Sequence, residues 1–115
     1  MQIKGLIFAG SATDQRDAMT AFATDVLGLQ RTQDSGVEAD LFALPDGSRF
    51  GVAGPRGMGE TSRTIGFEVD DLEAAAAELR AAGAWVAHEA GANDAERFLH
   101  FRAPDGALYE LIERR

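Results

Sequence analysis

Apolar residues fall into short alternating runs, broken by two stretches with helical spacing. Residues 2–9 carry Ile3, Leu6, Ile7 and Phe8 and predict a first strand, followed by a loop over residues 10–14. From Asp14 to Leu27 the apolar residues Ala18, Met19, Phe22, Val26 and Leu27 recur at the helical period. That spacing predicts a helix with one buried stripe. Thr13 or Asp14 is placed to cap it, and Gly28 to end it. Strands are predicted from Leu29 to Thr32, Ala39 to Leu44 and Ser48 to Ala53, with turns at Gly36 and at Pro45-Asp46-Gly47. Residues 54–62 are glycine-rich and aperiodic. They read as a connector, with a lid as the alternative.

The pattern then restarts. From Arg63 to Val69, Ile65, Phe67 and Val69 occupy one face of a strand, and Thr64, Gly66 and Glu68 the other. Asp70 or Asp71 caps a second helix, whose stripe is Leu72, Ala75, Ala76 and Leu79 and whose end is Gly83. Trp85 to His88 is a strand, a polar loop runs to Asp94, and a final hairpin turns at Pro104-Asp105-Gly106. In its last strand Tyr109 and Leu111 point one way, and Leu108, Glu110 and Ile112 the other. Both halves therefore run strand, helix, strand, strand, Pro-Asp-Gly, strand. A duplicated βαβββ unit follows. The expected fold is α+β in a single domain of residues 1–115: module 1 about 1–53, linker about 54–62, module 2 about 63–115. Each helix covers one face of a mixed sheet, leaving the other free to curve round a cavity.

Composition narrows the function classes. A chain of 115 residues holds a real core without staples, and the absence of cysteine removes disulfides, thiolate metal sites and a thiol nucleophile. The net charge of −8 argues against nucleic acid and would suit a cationic ligand. No apolar run approaches the ~20 residues of a membrane helix, and nothing at the N-terminus reads as a signal peptide, so a cytoplasmic protein is expected.

Three stretches carry a resemblance to a known family: Thr24-Asp25-Val26-Leu27-Gly28-Leu29, Ile65-Gly66-Phe67-Glu68-Val69-Asp70-Asp71-Leu72-Glu73, and Phe101-Arg102-Ala103-Pro104-Asp105-Gly106-Ala107-Leu108-Tyr109-Glu110-Leu111. In order and spacing they resemble the vicinal-oxygen-chelate superfamily, the glyoxalase, bleomycin-resistance and extradiol-dioxygenase group. The resemblance implies paired βαβββ modules around a U-shaped cavity, small-molecule ligands and a homodimer. Metal-using members hold a divalent ion on a first-strand His, a fourth-strand Glu or Gln, a fifth-strand His and an eighth-strand Glu. The matching positions here are Ile7 or a neighbour, Gly51, Thr64 and Glu110. Only Glu110 matches, so no metal and no cofactor is expected, and Glu110 reads as a relic or a repurposed group.

The cavity is expected to contain Arg49, Thr64, Glu68, Trp85, Phe98, His100, Arg102 and Glu110. A one-residue bulge at Gly106 would put His100 on the face of Glu110. The two would then hydrogen-bond each other or a ligand; the plain alternative is a cross-strand polar filler beside a structural carboxylate. Arg49 either reaches into the cup or extends to its rim. Trp85 is either a cavity wall or packing. His88 is expected in solvent. The leading expectation is a metal-free cup that binds or sequesters a small organic molecule. The alternative is an enzyme of lyase, isomerase or epimerase, or dioxygenase type, using Glu110 with His100 or Glu68 as acid and base, with or without a divalent ion. A third reading is an interaction module with a vestigial cup.

Overall fold

The computed structural model describes residues 1–32, 37–60 and 62–115. In chain order these form β1 (Gly5–Ala12), α1 (Arg16–Asp25), β2 (Gln30–Arg31), β3 (Asp40–Ala43), β4 (Arg49–Ala53), β5 (Gly57–Glu60) and β6 (Arg63–Glu68). There follow α2 (Leu72–Ala81), β7 (Trp85–Val86), β8 (Gly91–Ala92), β9 (Glu96–Arg102) and β10 (Leu108–Arg114). The architecture is α+β. Nine strands make one mixed sheet, ordered β2-β3-β4-β1-β6-β10-β9-β7, with β8 also paired to β9. In each half the first strand lies parallel to the last, β1 to β4 and β6 to β10. The halves meet where β1 runs antiparallel to β6.

The two Pro-Asp-Gly turns behave alike. Gly47 and Gly106 have φ of 87° and 86°, a left-handed conformation that glycine adopts without strain. In the second turn Ala103 and Ala107 close the loop and the Gly106 N–H donates to the Ala103 carbonyl at 2.9 Å. The resulting register sets Glu110 directly opposite His100. The expected turn at Gly36 lies outside the described residues.

The second helix matches its sequence pattern. The Asp71 side chain accepts the Ala74 N–H, and Leu72, Ala75 and Ala76 are buried against Val86, Leu99 and Leu111. The first helix does not. It begins after Gln15 without a side-chain cap, and Thr13 Oγ1 instead accepts the Gln15 N–H. Only Met19 and Ala23 of α1 pack on Phe42 and Val52. Phe22, Val26 and Leu27 of the expected stripe are exposed, Val26 by 68%. A carboxylate takes over part of the anchoring. Asp40, buried on the α1 side of β3, accepts from Arg16 Nε at 3.2 Å, Arg16 Nη2 at 3.0 Å and Thr20 Oγ1 at 2.6 Å, and from Arg31 Nη2.

Among the departures from the expected boundaries, which include β8 inside the expected polar loop, two bear on the cup. The first strand runs to Ala12, because Gly10 to Ala12 pair with Gly51 to Ala53; their small side chains made them look like a loop. The expected connector contains β5, whose Met58 is buried.

Candidate functional site

Alternation along the central strands puts one set of side chains on the concave face of the sheet. From β9 these are Glu96, Phe98 and His100, and from β10 Glu110 and Ile112; Arg49, Gly51, Thr64 and Gly66 supply the remainder of the face. A register irregularity between Leu6 and Phe8 shifts the phase of β1, so Phe8 rather than Ile7 turns inward. Its ring lies over Gly10 and Gly51, and its Cβ over Gly66. A Cβ on Gly51 would lie 2.9 Å from Phe8 Cζ, and one on Gly66 would lie 3.0 Å from Phe8 Cβ and 2.4 Å from Ile112 Cδ1. Gly10 makes room in the same way for Met58, whose Sδ would be 2.2 Å from an added Cβ. At all three places an added Cβ would force a neighbouring side chain to move, so glycine is favoured by close approach rather than by φ.

The result is a small cavity of about 70 Å³. Phe8, Leu41 and Met58 wall one side, and Asn93, Glu96, Phe98, His100 and Glu110 the other. This is well below the several hundred Å³ of a site enclosing a drug-sized molecule. At its floor, Glu110 is 7% exposed and its Oε1 stands 3.5 Å from His100 Nε2. That separation is too long for a sound hydrogen bond, and His100 Nε2 is buried without a hydrogen-bond partner. Phe98 meets the His100 ring edge-on at 6.2 Å.

Of the residues expected in the cavity, Phe98, His100 and Glu110 line it. Thr64 shares the concave face and is buried with Oγ1 lacking a hydrogen-bond partner. Arg49 reaches across the cup, with Nη1 4.0 Å from Glu96 Oε1 and Nη2 donating to Thr32 Oγ1 at 3.2 Å. The other three stand apart from the cavity lining. Glu68 is paired with Arg114 Nε at 3.2 Å. Arg102 Nη1 donates to the Gly106 carbonyl. Trp85 is 55% exposed on β7, opposite Arg102. His88 is exposed, as expected.

Glu96 is the polar cavity side chain the sequence pattern missed. It is 6% exposed and belongs to the period-two face of Phe98 and His100; a strand counted from Phe98 omits it. Asn93 was a second available signal, because its Oδ1 accepts the N–H groups of Ala95 and Glu96 at 2.9 Å each and starts the strand. Burial pushes the Glu96 carboxyl above its ordinary range, Arg49 pulls it back, and the charge of Glu110 raises it again. Glu96, His100 and Glu110 do not converge tightly. Among the described residues the only trio of His or carboxylate groups with ligand atoms within 4.8 Å of one another is Asp71, Glu73 and Glu113, on the outside. Arg97 contacts both Glu73 and Glu113, and Glu113 Oε2 accepts the Leu72 N–H. That trio serves the start of α2.

No protein-family model and no curated protein matches the chain in sequence. Solved structures do match it in shape. A methylmalonyl-CoA epimerase from Mycobacterium tuberculosis superposes with a TM-score of 0.77 at 22% identity, over 98% of this chain and 89% of its own. A glyoxalase/bleomycin resistance protein/dioxygenase superfamily member from Vibrio splendidus gives 0.67 at 19% identity, over 96% and 100%. The fold is that of the vicinal-oxygen-chelate superfamily. Another protein similar to this chain in shape, Streptomyces coelicolor methylmalonyl-CoA epimerase in complex with 2-nitronate-propionyl-CoA, has a TM-score of 0.72 at 20% identity, over 97% and 98%. Identities this low establish the vicinal-oxygen-chelate fold and leave chemistry to the residues of the cup.

Proposed function

We propose that this vicinal-oxygen-chelate protein binds a small organic molecule in its cup without a metal ion. The carrying observation is the Phe8 ring, packed against Gly10 and Gly51 on the face from which metal ligands would have to project. Of the four positions that hold the ion in metal-using members, only Glu110 bears a ligating group, and its neighbour His100 comes from the adjacent strand. Two groups make a poor site for Zn²⁺ or a related ion, which takes three protein ligands even when one position stays open. The apolar walls and buried polar floor suit an organic ligand instead. Elemental emission on purified protein, followed by a thermal-shift screen of amines, aromatic compounds and 2-oxo acids, tests this. The expected outcome is no stoichiometric divalent metal and a raised melting temperature with at least one organic class. Metal at about one ion per chain that disappears in Glu110→Gln would sink the metal-free reading.

A second reading is an acid–base enzyme of the epimerase type. It is favoured by the presence in one cavity of two carboxyls with unlike surroundings, Glu96 raised by burial and Glu110 beside an imidazole. Stabilisation confined to carbonyl compounds bearing an acidic α-hydrogen, with exchange of that hydrogen for deuterium, would put this reading ahead. Glu68, tied to Arg114, has no part in it.

The partner proposed for the convex face is a second copy of the chain. Leu6 is 64% exposed there and Ile65 is also exposed, and with Ala9, Leu44 and Phe50 they line a mostly apolar hollow that Ser48, Arg49 and Phe8 complete. Contiguous exposed apolar surface of this kind marks an association site. Sedimentation velocity at tens of micromolar should give a dimer, and Leu6→Glu with Ile65→Glu should give a monomer of unchanged circular dichroism. A monomeric parent chain would remove the proposal.

A further inference from the structure

The two buried carboxylates of the cup keep open acceptor sites, Glu110 more than Glu96. Among the described residues Glu110 accepts no hydrogen bond; His100 Nε2 stands 3.5 Å from its Oε1, and the Glu96 carboxyl is close enough for the two charges to interact. Glu96 is better served: the Asn93 side chain donates a hydrogen bond to its carboxyl and Arg49 pairs with it at 4.0 Å, which leaves part of its acceptor capacity open. Both side chains are about nine-tenths buried or more, at 10% and 8% exposure. An ionised carboxylate offers about four acceptor sites, and leaving them unfilled away from bulk water is costly. Groups like these persist when a ligand supplies the missing donors.

Resting on the binding reading above, we propose that the ligand enters head-first with a protonated amine or amidine, which donates to Glu110 and Glu96, while an apolar body lies against Phe8, Phe98 and Met58. The cavity of about 70 Å³ takes such a head and leaves the body toward the mouth. Other ligand classes fit less well. A carboxylate or phosphate would face two like charges with Arg49 already engaged by Glu96 and Thr32. A neutral hydroxyl would fill one acceptor and leave the charges uncompensated. The aromatic rings of Phe8 and Phe98 would add cation–π attraction to an ammonium placed over either face.

Isothermal titration calorimetry on the whole chain at neutral pH, with EDTA present, decides the matter. Benzylamine and benzamidine are the cationic probes, benzyl alcohol and benzamide the neutral isosteres, and benzoate the anion. The cationic probes should bind about 10-fold or more tightly than their isosteres, and Glu110→Gln and Glu96→Gln should each weaken them by about 10-fold or more, the worth of one charge-assisted hydrogen bond. Each variant is checked by thermal melting, and Glu96→Asp, which keeps the charge, serves if Glu96→Gln fails to fold. Neutral probes or benzoate binding as well as the amines would overturn the cation inference while leaving the binding cup intact. If none of the five probes binds, the cup reading falls with it.

Discussion

A Phe8→His, Thr64→His double variant should acquire about one divalent ion per chain, where the parent holds none. In the sheet Phe8 pairs with Gly66 and Gly66 with Glu110, so positions 8 and 110 lie in one row across β1, β6 and β10. Thr64 lies two residues along the concave face, opposite Gly10. Imidazoles at positions 8 and 64 would join the Glu110 carboxylate as three ligands, the number a zinc site with one open position uses. Removing the Phe8 ring clears the space above Gly10 and Gly51 at the same time. Elemental emission after gel filtration in Zn²⁺ or Mn²⁺ is the measurement, with Glu110→Gln added to the double variant as its control. A double variant that stays metal-free would show that this row is not a latent site. A parent chain already carrying metal would show that Phe8 does not exclude it.

Asp40→Ala should lower stability by about 2 kcal/mol, read as a lower urea midpoint with an unchanged slope. A larger figure, of the kind seen when a fully buried pair is broken, does not apply, because Arg16 and Arg31 are more than a third exposed and water screens them. The effect should depend on pH. The Arg16 guanidinium, more than any other neighbour, holds the folded Asp40 carboxyl below its ordinary range. The stability it contributes is therefore complete above the unfolded value near about 4 and is lost as pH falls through the lower folded value. The gap between variant and parent should close in strongly acidic urea titrations. A gap that persists unchanged at low pH would mean that packing, not charge, fastens α1.

What was legible in the sequence divides along physical lines. The second half reads cleanly because Leu72, Ala75 and Ala76 find the sheet at the spacing they announce, and Gly106 forces the register that pairs Glu110 with His100. In the first half the apolar stripe of α1 mixes two purposes. Met19 and Ala23 face the core and Phe22, Val26 and Leu27 face outward, a distinction periodicity alone does not draw. Asp40 looks like a solvent residue until the chain folds Arg16, Thr20 and Arg31 around it. The site was half visible. Phe98, His100 and Glu110 followed from alternation, whereas Met58 enters from a glycine-rich connector and Phe8 depends on a one-residue irregularity. Trp85 was misleading for the opposite reason: an aromatic on a strand suggests a wall, but β7 is too short and too near the rim to carry it inward.

The short strands at the rims bear on how copies of this protein can meet. The sheet ends at β2 on one side and at β7 and β8 on the other, each two residues long. Each presents few free backbone donors and acceptors, and β2 adds the charge of Arg31. Rims like these are poor templates for edge-to-edge growth, the route by which open sheets extend into aggregates and fibres. The dimer proposed above would accordingly form across a face, where closed pairing stops at two.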